Sequence, residues 1–226
     1  MSIDLLDVIT KGLSGPLLGQ LAGVIAANTD ATSRGLAAAV PAILGGLLNS
    51  ASTPTGASKL IDLMTKGNFE SLLGNIGGLL TGGKATRDLM KSGTGLLSSI
   101  LGDRSDAVTD ALGSASGLNR ASASSLLAIV APLAIGFITR HLRGAAGLNP
   151  PALTSLLSSQ EPAIAAATPA AVASALPGAN LTDRLVAPAG AVVDAPHDTG
   201  NGTTKWIVGL AALAIAFFAF RSCQTP

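Results

Sequence analysis

NTDATSRGLAAAVPAILGGLLN, residues 28–49, and NRASASSLLAIVAPLAIGFITR, residues 119–140, decide how this chain folds. Each opens on polar residues that can cap a helix, with Thr29 or Asp30 expected to cap the first copy. Each continues into an apolar run with a proline in its middle. Asn28 and Asn119, Ser33 and Ser124, Leu36 and Leu127, Pro41 and Pro132, and Gly45 and Gly136 all stand 91 residues apart. The same offset relates Leu5 to Leu96, Leu6 to Leu97, Ile9 to Ile100, Leu21 to Leu112 and Gly56 to Gly147. The pattern predicts a tandem duplication, with repeats at about 1–90 and 91–178 packed into one helical bundle. A proline inside a helix removes a backbone hydrogen bond and bends the axis, so both repeat helices are predicted to kink. Leu36 and Leu127 are predicted core positions that would not accept a charge.

Composition agrees with an all-α fold. Hydrophobic residues make up 48% of the 226 residues, yet aromatics are only 3%, with no Tyr and one Trp. Leu, Ala, Ile and Val suit close-packed helices, and no apolar alternation of period two marks a strand. A net charge of +1 gives no electrostatic footprint for nucleic acid, so none is expected as a partner. The lone Cys223 excludes an intramolecular disulfide framework. Asp4 and Asp7 stand where an export signal would carry basic residues, which places the bulk of the chain in the cytoplasm.

Along the chain, residues 2–13 carry apolar Ile3, Leu5, Leu6, Ile9 and Leu13 at helical spacing. Ser14, Gly15 and Pro16 end that helix, and Pro16 fits the first turn of the next. The second helix carries Gly15, Gly19 and Gly23 four residues apart, a stripe expected to pack tightly inside the bundle. After the first repeat helix, 52–56 reads as a turn, 58–66 as a short helix, 68–80 as another, and 84–101 as a longer one. Asp103 is expected to cap a helix reaching Ser114, and Asn149 to begin a helix matching Ser58 at the common offset. Pro162, Pro169 and Pro177 are expected to divide an Ala-rich stretch into short helices.

Beyond the bundle, residues 179–204 are rich in Pro, Gly, Ala, Asp and Thr and read as a flexible linker. The linker leads to WIVGLAALAIAFFAF, Trp206–Phe220, an uncharged run flanked by Lys205 and Arg221. It reads as a single transmembrane helix over 205–221, followed by a tail at 222–226. Gly209, Ala212, Ala216 and Ala219 share one face, which would let two anchors approach in a homo-oligomer. Order of synthesis then predicts a bacterial inner-membrane protein with a cytoplasmic bundle and only Ser222–Pro226 across the bilayer.

No residues are assigned catalytic, cofactor-binding or metal roles. Residues 78–85, GLLTGGKA, approach the phosphate-loop pattern, but Ala85 lacks the hydroxyl that would hold magnesium. A glycine-terminated helix end is the reading adopted. His141, in the cluster Arg140-His141-Leu142-Arg143, complements a helix C-terminus. His197 falls in the linker. CQTP at the end has Cys223 at the prenylation position but no aliphatic residues after it.

The stretch GLN-x-x-x-ASSLLAIVAPLAIGF, with LLSSILG upstream, resembles the YidB-like bacterial family, domain of unknown function 937. AAAVPAILGGL looks like a second instance, and LTSLLSSQEPAIAAATPAAVASALPG resembles the end of the family's longer members. The likeness covers roughly residues 5–178. It implies no catalytic residues. Some relatives carry a peptidoglycan-binding domain after a transmembrane helix; this chain does not follow that pattern, so that role is not carried over. The resulting expectation is a membrane-tethered, non-enzymatic scaffold for an unknown protein partner or for itself. The alternative is a membrane-active protein whose apolar repeat helices insert into bilayers to form a pore or remodel lipid.

Overall fold

The structure, a computed structural model, describes residues 4–176. The expected linker, transmembrane helix and tail lie outside the described residues. Those described are helical, with no strand among them. α1 (Leu5–Gly12) is capped by Asp4, whose carboxylate accepts from the Asp7 amide. α2 (Pro16–Val24) begins on Pro16, where the missing N–H costs nothing. α3 (Thr29–Ala51) and α8 (Arg120–Ala145) are the two long central helices. Between them run α4 (Pro54–Gly67), a 3-10 helix (Phe69–Asn75), α5 (Ile76–Leu79), α6 (Lys84–Leu101) and α7 (Ser105–Ser116). α9 (Pro150–Ala167) and α10 (Ala170–Ala175) complete the bundle.

α3 and α8 start alike. Asn28 accepts from the Ala31 amide at 2.7 Å, and Asn119 from the Ser122 amide at 2.8 Å. The first cap is therefore Asn28, not Thr29 or Asp30. All three residue types can cap, and Asn28 is the one with extended backbone, which aims its side chain back over the first turn. Each central proline follows its cap by thirteen residues, and the helix continues on both sides of it. Leu36 and Leu127 are buried, as are most residues between them and the helix ends.

The prolines fix the packing around α8. Pro132 has no N–H to donate to the Ala128 carbonyl four residues back. Ala128 is buried, so water does not reach that carbonyl freely. The backbone of Gly93 on α6 lies directly against it, with a Cα hydrogen pointing at the oxygen. Such C–H···O contacts are weak, but they give the bare carbonyl a neighbour. The corresponding carbonyl under Pro41 belongs to Ala37, an exposed residue.

Several boundaries differ from expectation. α4 starts at Pro54 rather than Ser58, because Thr53 accepts from the Gly56 amide at 3.1 Å and Pro54 suits the first turn. Asn149 does cap α9, but α4 is capped at Thr53, 96 residues earlier, so the caps of these two helices depart from the common offset. Residues 68–80 divide into a 3-10 helix and a single α turn, since Asn68 is left-handed at φ 46 and Gly74, Gly77 and Gly78 weaken α propensity. Asp103 lies in a 3-10 turn, Gly102–Arg104, and α7 begins after it without a side-chain cap. Pro162 sits inside α9 instead of ending it; the carbonyl it strands belongs to exposed Ser158. The expected division near residue 90 falls within α6.

α9 and α10 contribute Leu153, Leu157, Ile164, Val172 and Leu176 to the core, all buried. At about 1.5–3 kcal/mol for each large apolar side chain, their gross transfer term is on the order of 10 kcal/mol, an upper bound. Gly93→Ala would drive a methyl group into the Ala128 carbonyl, whereas Gly95, one turn-face away on α6, has open space around it. We expect Gly93→Ala to cost about 1–3 kcal/mol by overpacking, and Gly95→Ala to stabilise by about 0.5–1 kcal/mol. Urea titration followed by circular dichroism measures both; equal effects would remove the Gly93 contact from the account.

Candidate functional site

The near phosphate-loop sequence folds as the end of α5, a turn and the start of α6. No strand precedes it. Thr86, buried, donates to the Leu79 carbonyl at 2.5 Å and accepts from the Gly82 amide at 3.0 Å, which closes the turn on itself. Lys84 points back along its own helix and donates to Asp88 Oδ2 at 2.8 Å. Both side chains are exposed. Hydrogen bonding to Lys84, then its charge, holds the Asp88 carboxyl below the usual carboxylate range, with Arg87 and Lys91 adding to the effect. The same hydrogen bond raises Lys84.

His141 is half-buried near the C-terminus of α8, and Arg143 in the last turn meets Glu70 at 3.5 Å. Among the described residues no group of three or more His, Cys, Asp or Glu is placed to hold a metal ion. The Gly15, Gly19 and Gly23 stripe does not pack inside the bundle. All three are exposed with nothing within 4 Å of an added Cβ, because α2 turns Leu21 and Ala22 inward and leaves the glycine face outside.

The surface of the described residues includes several grooves. One of about 500 Å³ lies between α4 and the end of α6, floored by Leu60 and Leu63 with Lys59 and Lys66 at its rim. A polar one of about 440 Å³ borders the α6–α7 turn, at Asp103, Ser105 and Asp106. A third, about 500 Å³ and mainly apolar, joins the starts of α4 and α9, at Pro54, Pro150 and Pro151. Beside the polar groove, Arg120 pairs with Asp106 at 2.8 Å and with Asp110 at 2.7 Å.

Several contacts of α3 and α8 involve residues that the 91-residue offset relates. Gly35 on α3 faces Leu126 on α8, its own counterpart; a Cβ there would stand 2.7 Å from Leu126 Cδ2. Arg34 Nε donates to the Ser116 carbonyl at 3.2 Å, and Ser122 Oγ donates to the Ile25 carbonyl at 2.7 Å. Ile25 and Ser116 are 91 apart. A Cβ on Gly45 would stand 3.7 Å from Ile164 Cγ2 and 3.0 Å from Leu176 Cδ1. One on Gly136 would stand 3.3 Å from Leu73 Cγ and 2.6 Å from the Phe69 carbonyl oxygen. Leu73 and Ile164 are again 91 apart. Thus α9 lies on α3, and the 3-10 helix lies on α8. Offset spacing in the sequence holds these pairs, but it does not reveal that each arm packs on the helix of the other half.

A family model described as bacterial protein of unknown function (DUF937) matches residues 7–141, more than half of the chain. The chain belongs to the DUF937 family. The DUF937 match runs from α1 to near the end of α8, leaving α9 and α10 outside it. No curated protein and no solved structure matches the chain.

The Lys84–Asp88 pair yields a pH expectation for this DUF937 protein. A lowered carboxyl pKa contributes stability above its unfolded value that is lost as pH falls through the folded one. A raised lysine contributes stability below its unfolded value, lost as pH rises through the folded one. Carboxyl-carbon NMR should place the Asp88 midpoint below that of an ordinary aspartate, and Lys84→Ala should return it upward. An unmoved midpoint in Lys84→Ala would mean that the pair does not persist in solution.

Proposed function

We propose that this protein is a membrane-tethered helical scaffold that binds a protein partner or a second copy of itself and performs no catalysis. The observation that carries this reading is the use of α3 and α8. Both are long and apolar enough to cross a membrane, yet both are mostly buried within the bundle. Their apolar surface is already committed to Leu, Ile and Ala neighbours from α1, α2, α6, α7 and α9. Insertion would have to release those contacts. The anchor is then left to Trp206–Phe220, the apolar run after the linker. The length and composition of α3 and α8 favour the second reading, in which the bundle opens and those helices enter lipid.

The same reading includes an internal duplication and the YidB-like subset of the family. Support for the duplication comes from paired contacts: Gly35 against Leu126, Arg34 and Ser122 on carbonyls 91 apart, and Ile164 and Leu73 on equivalent glycines. A residue that touches its own counterpart lies near a local two-fold axis, as in a symmetric dimer interface. A duplicated unit that once dimerised would leave this arrangement within one chain.

Two experiments test the reading. Residues 1–178 purified without detergent should form a monodisperse helical species that does not float with liposomes; binding to lipid with loss of the monodisperse form would favour insertion. For topology, Cys223 is the sole thiol. A membrane-impermeant maleimide should label it in intact spheroplasts. Labelling that requires lysis would reverse the proposed orientation and with it the cytoplasmic site of the bundle's partners.

A further inference from the structure

We propose that the face of α3 around Gly45 is an interaction surface for α9 and α10 of a second copy, so that the chain self-associates by exchanging this C-terminal arm. The inference rests on the scaffold reading above and specifies how such a scaffold would bind itself. It starts from the way the arm is attached. α9 follows α8 after only four residues, 146–149, yet its main neighbours are α3, α4 and α1, not α8. α10 in turn packs chiefly on α7 and touches α3, so the arm's main contacts, with α3, α4 and α7, are with elements that a second copy also offers. The connection turns at Gly147, left-handed at φ 79, with the Ala146 and Gly147 amides both donating to the Leu142 carbonyl, at 3.0 and 2.7 Å. One glycine thus sets whether the arm folds back or leads away, and short hinges of this kind favour exchange between copies.

The receiving surface is built for a helix. Gly45 leaves room for Ile164 and Leu176 to reach the α3 backbone. Gln160, buried, accepts from the Leu5 amide at 3.1 Å and so satisfies a donor at the start of α1. Thr154 Oγ donates to the Ala51 carbonyl at 3.3 Å. These polar contacts fix register, and the buried stripe Leu153, Leu157 and Ile164 supplies the apolar face. The arm also lies beyond the part of the chain matched by the family model, so the matched core ends before the segment that covers it. Within the chain, the 3-10 helix already crosses to α8 in the way α9 crosses to α3. Exchange between copies repeats a crossing that the fold makes internally. The chemistry of the partner is thereby stated: an arm with Leu153, Leu157, Ile164 and Leu176 on one side and Gln160 in register, carried by another molecule of this protein.

The test uses the full chain in membranes with Cys223→Ser throughout. One tagged copy carries Ala51→Cys and a differently tagged copy carries Thr154→Cys; the two are co-expressed, extracted in mild detergent and treated with a short bismaleimide. Exchange predicts an adduct of twice the chain mass that carries both tags, several-fold more abundant than the adduct from either variant alone. If the mixed pair gives no more adduct than the single variants, while a chain carrying both substitutions closes within itself, the proposal is overturned. A second variant removes residues 146–148, so that the arm cannot return to its own α3. In that variant a helical dimer that also gives the two-tag adduct between positions 51 and 154 supports exchange, and a helical monomer, or a dimer without that adduct, contradicts it. Carbonate extraction of the same membranes reports the tether separately. A monomer that stays with the membrane contradicts exchange alone, and a dimer released by carbonate contradicts the tether alone.

Discussion

A proline inside a buried helix leaves a carbonyl without its helical donor, and the architecture of this bundle depends on where those carbonyls go. Ala37 and Ser158 are exposed residues. Ala128 is not, because α8 is buried without a break from Leu126 to Gly136. Gly93 resolves the problem by bringing the α6 backbone against that oxygen. A side chain at position 93 would hold α6 away, and the largest helix contact in the bundle would open. The buried polar side chains follow the same discipline: Thr32, Thr86, Thr109, Ser116, Ser122, Thr139 and Gln160 all have hydrogen-bond partners.

The second organising feature is reciprocity. α3 and α8 touch at Gly35 and Leu126, and each receives an arm from the opposite half at Gly45 or Gly136. Gly46 meets Ile100 and Leu101 across the halves, and Phe137, its counterpart, meets Gly12. Neither long helix is covered by its own half alone. This makes the described bundle cooperative in a specific sense: freeing one arm exposes the apolar stripe of a helix that belongs to the other half. The two halves of the sequence are not alike throughout. α6 is far longer than α1, and α9 runs unbroken where the stretch 91 residues earlier, 59–76, is split at left-handed Asn68 into the end of α4 and the 3-10 helix.

Much of this fold was legible in the sequence, because its signals are local. Pro16 and Pro150 announce helix starts, Leu36 and Leu127 announce the core, and the helix over 84–101 stands where its periodicity predicts. Errors arose where several residues carry the same signal. Asn28, Thr29 and Asp30 can each cap, and only backbone conformation selects Asn28. Pro162 reads as a break, yet the carbonyl it strands belongs to exposed Ser158 and the helix proceeds. The glycine stripe of α2 has the spacing of a packing face, but which face turns inward is decided by Leu21 and Ala22. Long-range contacts were illegible for a different reason. An offset relates two halves, but it carries no information on which half each arm covers. The site region was readable only negatively, from Ala85 and the missing strand in the near phosphate loop.

The central claim is that α3 and α8 form the interior of a bundle held by crossed arms, and the proposed scaffold reading accordingly seeks membrane attachment outside those two helices. Hydrogen exchange read by mass spectrometry tests it most directly, with the full chain compared in detergent micelles and in proteoliposomes. Arms that remain seated should keep the amides of 150–167 and 69–79 equally protected in both settings. Insertion of α3 or α8 would require the arms to leave. Selective loss of protection in those two segments on transfer to lipid, with the central helices still protected, would contradict the account.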